Sequence, residues 1–267
     1  MLGFPEADRS QKDRFTSNYL KTVIFQVRYN NNKKAVEKKE EYVSLFKEIF
    51  PRVSEKKESG FQISMSKDQT PILQPIPSTA NGMELRSEDG QKVLTVLDDG
   101  LTFTINGSIY KNFSHVRTDL DMLIRVLGIL EIESVNRVAI RKINILDYEI
   151  PPDMTEMNPV SVMQLLLNPG LVSNLNYFPN QEKVSKSIHN VVYKNDQTTL
   201  NLRYGVTQTN TLEKKGQIIV DIDLFEAKDL TINNIIDKFN SINVEIFNIF
   251  NWSMKADTLQ ELMKNTE

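Results

Sequence analysis

The sequence predicts an α+β fold of two similar halves, each reading β-α-β(3-4)-α, with antiparallel sheets packed on long helices about a pseudo-twofold axis. Three observations carry this. The run from Arg137 to Ile150 is rich in β-branched and aromatic residues and stops at Pro151-Pro152. Short alternating stretches separated by turn-forming residues lie on both sides of it. Each half also closes on a long amphipathic helix, one from Ser114 to Leu130 and one starting at Thr231.

In the first half, Leu20 to Tyr29 puts Val23, Phe25, Val27 and Tyr29 on one face and Thr22, Gln26 and Arg28 on the other, the pattern of a half-buried strand. Asn30-Asn-Asn32 ends it. Ala35 to Phe50 has Val36, Val43, Phe46, Ile49 and Phe50 at helical spacing, and Pro51 stops it. Phe61 to Met65, Met83 to Arg86, Val93 to Leu97 and Leu101 to Ile105 read as an antiparallel meander, with hairpin turns at Glu88-Asp-Gly90 and Asp98-Asp-Gly100. Pro71, Pro75 and Pro77 mark an irregular loop between its first strands. In the helix that follows, Val116, Leu120, Leu123, Ile124, Leu127 and Leu130 share one stripe.

The run at Arg137 opens the second half. Val138, Ile140, Leu146, Tyr148 and Ile150 share one parity and Ala139, Ile143 and Ile145 the other, so it reads as a central strand covered on both sides. Asn158-Pro159 starts a short helix that Asn168-Pro-Gly170 ends. Lys186 to Tyr193, Thr198 to Val206 and Gln217 to Phe225 alternate as strands. Thr231 then caps a helix carrying Ile232, Ile235, Ile236, Phe239, Ile242, Ile246, Ile249 and Phe250, and Asp257 to Met263 forms a tail helix. The halves are residues 1–136, with a polar N-terminal lead, and residues 137–267, forming one compact unit. A sheet gripping two long helices fits this plan, and the TATA-box-binding protein offers a fold analogy.

With 267 residues, 40% hydrophobic and 25% charged, the chain can bury a substantial core. A net charge of -3 gives no global attraction to nucleic acid or anionic membrane. The absence of cysteine removes disulfides, thiolate metal sites and cysteine nucleophiles. No signal-peptide pattern and no long apolar run occur, so the expectation is a cytoplasmic protein without a membrane partner.

Candidate residues for chemistry are few. Asp221 and Asp223, two apart on a strand, point the same way and could hold a divalent metal or share acid-base work; the competing reading pairs them with arginines. Arg137, Arg141 and Arg203 face the same sheet surface, as an ion-pair network or an anion site. The two histidines, His115 at a helix start and His189 in a strand, lack any patterned partner. No phosphate loop, dinucleotide fingerprint or metalloprotease signature is present. Trp252, with Phe247 and Phe250, anchors the tail helix or forms a homodimer contact.

Three segments resemble a sporadically distributed, functionally uncharacterised prokaryotic family of comparable length. Arg137-Val-Ala-Ile-Arg-Lys-Ile-Asn-Ile145 is similar to its central R-V-G-L-R-Y-I-N strand, differing at Ala139 and Lys142, and Val220-Asp-Ile-Asp223 to its D-I-D strand. Ile246-Phe-Asn-Ile-Phe250 with Ala256-Asp-Thr-Leu-Gln-Glu-Leu-Met263 resembles its F-x-x-x-I-T-x-x-L terminal signature. The scattered distribution implies horizontally transferred cassettes of the phage defence or toxin-antitoxin type. The leading expectation is therefore a non-enzymatic interaction module without a cofactor, engaging a protein partner from the same cassette. The alternatives are a small-molecule or nucleotide sensor with an arginine-lined cavity between sheet and helices, and a metal-dependent hydrolase built on Asp221 and Asp223.

Overall fold

A computed structural model describes residues 2–8, 15, 19–65, 71–149, 159–173, 179–180, 184, 186–210 and 215–262; of these, side chains are not described for 57–65, 71–80, 148–149, 207–210 and 215. The expectations for Ile150, Pro151-Pro152, Asn158 and Met263 lie outside the described residues, as does that for the side chain of Tyr148. The chain is a mixed α+β protein built on one large antiparallel sheet with helices packed on it.

In chain order the first elements are β1 (Leu20–Arg28), α1 (Lys34–Glu37), α2 (Lys39–Phe46), β2 (Arg52–Met65), β3 (Pro71–Arg86), β4 (Lys92–Leu97), β5 (Gly100–Asn106) and α3 (Phe113–Ile129). Then come β6 (Ser134–Val135), β7 (Arg137–Glu149), α4 (Pro159–Leu166), α5 (Pro169–Val172), β8 (Ser187–Asn195), β9 (Thr198–Asn210), β10 (Lys215–Glu226), β11 (Leu230–Thr231), α6 (Ile235–Ser253) and α7 (Ala256–Leu262). The nine-stranded sheet runs β2-β3-β4-β5-β1-β7-β10-β9-β8, and β6 pairs with β11 apart from it. Strands from before and after residue 136 thus occupy separate sides of the sheet and meet where β1 pairs with β7.

Register explains where the core sits. Phe103 of β5, Phe25 of β1, Ile140 of β7, Leu224 of β10 and Leu200 of β9 form one cross-strand row, and all five are buried. Helices α3, α4 and α6 pack against these strands, with Leu120, Leu123, Leu127, Met163, Phe239, Ile246 and Ile249 inside. The rings of Phe25 and Phe239 meet edge-on at 5.3 Å. An aromatic pair in that geometry adds about 1 kcal/mol to what its area burial contributes.

Several local expectations need correction. The predicted helix over 35–50 breaks at Lys38, whose backbone leaves helical geometry, and the buried stripe becomes Ala35, Tyr42, Phe46 and Phe50, leaving Ile49 exposed. The prolines at 71, 75 and 77 belong to β3, not to a loop. They are tolerated because β3 pairs with β4 only over Gly82–Arg86, so the proline stretch has β2 as its single partner, and Pro77 falls in a register shift. Asn168-Pro169 starts α5 instead of ending α4: the Asn168 Oδ1 accepts from the Gly170 N–H at 2.8 Å. Thr231 does not cap α6; its Oγ1 accepts from the Asn234 side chain at 3.1 Å, across a 3-10 turn that precedes the helix.

The central position of β7 agrees with the sequence, but its cover does not. Helices pack on the parity of Val138, Ile140 and Leu146, whereas Ile143 and Ile145 are half-buried. Neighbouring strands shelter the second parity: Ile145 lies opposite Ile219, and Ala139 opposite Phe225. Among the described residues, helices therefore cover one face of the sheet and none covers the other, the open face.

Candidate functional site

The residues singled out for chemistry lie on the open face, because strand alternation puts Arg137 and Arg141 of β7, Asp221 and Asp223 of β10 and Arg203 of β9 on the parity opposite the core. Arg141 stands opposite Asp223 in register, yet its guanidinium reaches diagonally to Asp221. Nε and Nη2 donate to the two carboxylate oxygens at 2.9 and 2.7 Å. This fork-to-fork geometry adds hydrogen bonds to the charge attraction. The Asp221 side chain is 4% exposed while that of Arg141 is 42% exposed, so the arginine roofs the carboxylate. The bond to Asp221 raises the Arg141 guanidinium above its ordinary pKa, against the opposing effect of burial.

Asp223 makes different contacts. It accepts from Asn201 Nδ2 at 3.0 Å and lies 3.7 Å from Arg137 Nη2. The Arg137 guanidinium sits 3.9 Å above the Phe225 ring, a cation-π contact, and burial lowers its pKa. Its Nε is buried without a hydrogen-bond partner. Arg203, cross-strand from Asp221 and from Asn190, is exposed and makes no hydrogen bond or ion pair among the described residues.

The structure therefore brings together Arg141 with Asp221 and Arg137 with Asp223, and leaves Arg203 out. This geometry answers two of the functional expectations. A metal at the aspartate pair would have to displace Arg141 from both oxygens of Asp221, and among the described residues no group of three histidine or acidic side chains is placed to hold an ion. The arginines lie on the face away from the described helices, not between sheet and helices.

The helix-covered face holds a polar cluster that the sequence did not announce. Lys142 Nζ donates to Asn243 Oδ1 of α6 at 2.7 Å and lies 5.0 Å from the centre of the Tyr110 ring, whose hydroxyl donates to the same oxygen at 3.3 Å. Burial pushes the Tyr110 phenol well above its ordinary pKa. The only signal was the interruption of the apolar parity of β7 by Lys142 and Asn144.

Both histidines lie where local contacts account for them among the described residues. His115 is exposed, and its backbone N–H donates to the Asn112 cap of α3 at 2.9 Å. His189 stacks on Tyr204 at 5.3 Å, and partial burial lowers its pKa. The aromatic group expected at a dimer contact is covered from within the chain. Trp252 meets Phe4 at 5.0 Å and Phe250 meets Phe15 at 6.1 Å, while Phe247 is half-buried. The polar lead thus contains a docked segment, signalled only by Phe4 and Phe15. Among the described residues no helix is long and apolar enough to cross a membrane. No protein-family model matches the chain, and no curated protein matches it.

Proposed function

We propose that this chain is a non-enzymatic interaction module whose open sheet face engages a protein partner, encoded with it in a transferred prokaryotic cassette of the defence or toxin-antitoxin type. The observation that carries the reading is Arg203, exposed beside the Arg141–Asp221 and Arg137–Asp223 pairs and without a hydrogen bond or ion pair among the described residues, on a sheet face that no described helix covers. Ion pairs provide a patterned surface at low reorganisation cost, and an exposed arginine is the kind of group that anchors a partner carboxylate. The half-buried Ile143, Ile145 and Ile24 supply apolar area around it.

The strand order also supports a pseudo-twofold relation between residues 1–136 and 137–267, with β1 and β7 as equivalent strands, as the repeated order of elements in the sequence suggests. The partner is tested by co-expression with the neighbouring genes of its cassette. Wild-type chain should retain one of their products through size-exclusion chromatography, and Arg203→Glu should lose it at an unchanged melting temperature. A chain that stays a monomer with every neighbour, or an Arg203→Glu variant that binds as wild type, would overturn the assignment.

A further inference from the structure

The first described residues lie across α6 in an irregular course, with Gly3 at φ +81°, and two polar side chains of the helix hold their backbone. The Leu2 N–H donates to Glu245 Oε1 at 3.1 Å, and the Ala7 N–H donates to Asn248 Oδ1 at 3.1 Å. Asn248 Nδ2 in turn reaches Glu245 Oε2 at 3.5 Å, tying the two acceptors together. Between these anchors the Phe4 ring sits edge-on to Trp252 at 5.0 Å and 6.1 Å from the Tyr193 ring of β8. Leu2, Phe4 and Ala7 turn towards the protein, while Gly3, Pro5, Glu6 and Asp8 are exposed.

These contacts read main chain at both ends and one aromatic side chain in the middle, so the groove selects a peptide by backbone hydrogen bonds and one anchor residue. The chemistry of the floor argues against a permanent seal. Glu245 and Asn248 are 5% and 4% exposed, and the Glu245 carboxylate meets backbone and side-chain amides but no cation among the described residues. Burying a carboxylate is costly, and an apolar floor would seal the same segment without that cost. A floor of glutamate and asparagine is instead suited to standing open, because water satisfies both groups when the segment leaves.

We propose that the groove formed by Glu245, Asn248 and Trp252 of α6 with Tyr193 of β8 is a binding site for a peptide segment, which residues 2–8 of this chain occupy in cis. The ligand class follows from the occupant: an apolar residue, an aromatic two positions on, and a free backbone N–H five positions after the first. A tethered segment acts at millimolar effective concentration, so an external peptide of this class enters only when the cis segment is weakened. The site lies on the helix-covered side of the sheet and is independent of the open face.

Trp252 is the only tryptophan, so its emission reports the state of the groove in the full-length chain. Phe4→Ala removes the anchor and leaves the groove intact; Ala7→Pro removes the backbone donor to Asn248 without touching the core. Either variant should red-shift Trp252 emission and raise its acrylamide quenching while the thermal midpoint stays near wild type. Either should also bind a fluorescent peptide of residues 1–8 about tenfold or more tighter than the wild-type chain does, the margin that cis occupancy sets. The same peptide with Phe4→Ala should not bind. Folded variants that fail to bind the peptide, or that bind it equally well without its phenylalanine, would overturn the proposal.

Discussion

Asp221 is a buried carboxylate that depends on one arginine, and that asymmetry sets the expected effects of substitution. Arg141→Ala strands the acid beneath the surface, and because Arg141 is itself 42% exposed, water entry trims the loss to about 2 kcal/mol, measurable as a lowered urea midpoint. Replacing both partners with apolar residues should recover much of it, since no charge is then left unpaired. Glu131 shows a different electrostatic role. Hydrogen bonds from Lys34 and Lys38 hold its carboxyl at about 2, below the ordinary 4.5. Its folded-state pKa lies below the unfolded one, so its contribution is fully present above about 4.5 and disappears as the pH falls towards 2. Acid titration of stability should therefore be flatter between those values for Glu131→Gln than for wild type, and identical slopes would show that the lysine contacts are immaterial.

Elements were legible where a single period governed them and obscure where two constraints competed. The alternation of β1, β9 and β10 located the core face residue by residue, since Val23, Phe25, Leu200, Leu202, Val220 and Ile222 are all buried. The same alternation correctly grouped the arginines and aspartates on one face, but could not say which would pair, because diagonal reach decides that and register comes from partner strands distant in sequence. The prolines of β3 misled because a proline breaks a strand only where a second neighbour needs its amide. The docking of residues 2–8 had no signal beyond Phe4 and Phe15, since its partners lie on α6, far along the chain. Gly205 makes a further test at this scale. Its φ of +143° and the approach of the Ser187 carbonyl, 2.0 Å from where a Cβ would stand, leave no room for a side chain between β8 and β9. Gly205→Ala should destabilise the chain by about 2 kcal/mol or more through strain and lost pairing, and thermal melting would measure it.

The arrangement of the whole molecule follows from the seam between β1 and β7. These strands pair along Leu20 to Arg28, with Phe25 opposite Ile140 and Val27 opposite Val138, and the helices above them share one core with both sides of the sheet. The expectation from this pairing is that the two sequence halves unfold as a single event. Phe25 belongs to the first half and packs on Phe239 of the second, so it is the appropriate probe. Phe25→Ala should cost about 3–5 kcal/mol through lost transfer energy and the cavity left behind. Trp252 fluorescence, which reports the second half, should shift in denaturant midpoint by the same amount as far-UV circular dichroism, which reports the entire sheet. If the Trp252 transition holds its wild-type midpoint while the dichroism splits in two, the halves fold separately and β1–β7 is a domain interface, not the middle of one sheet.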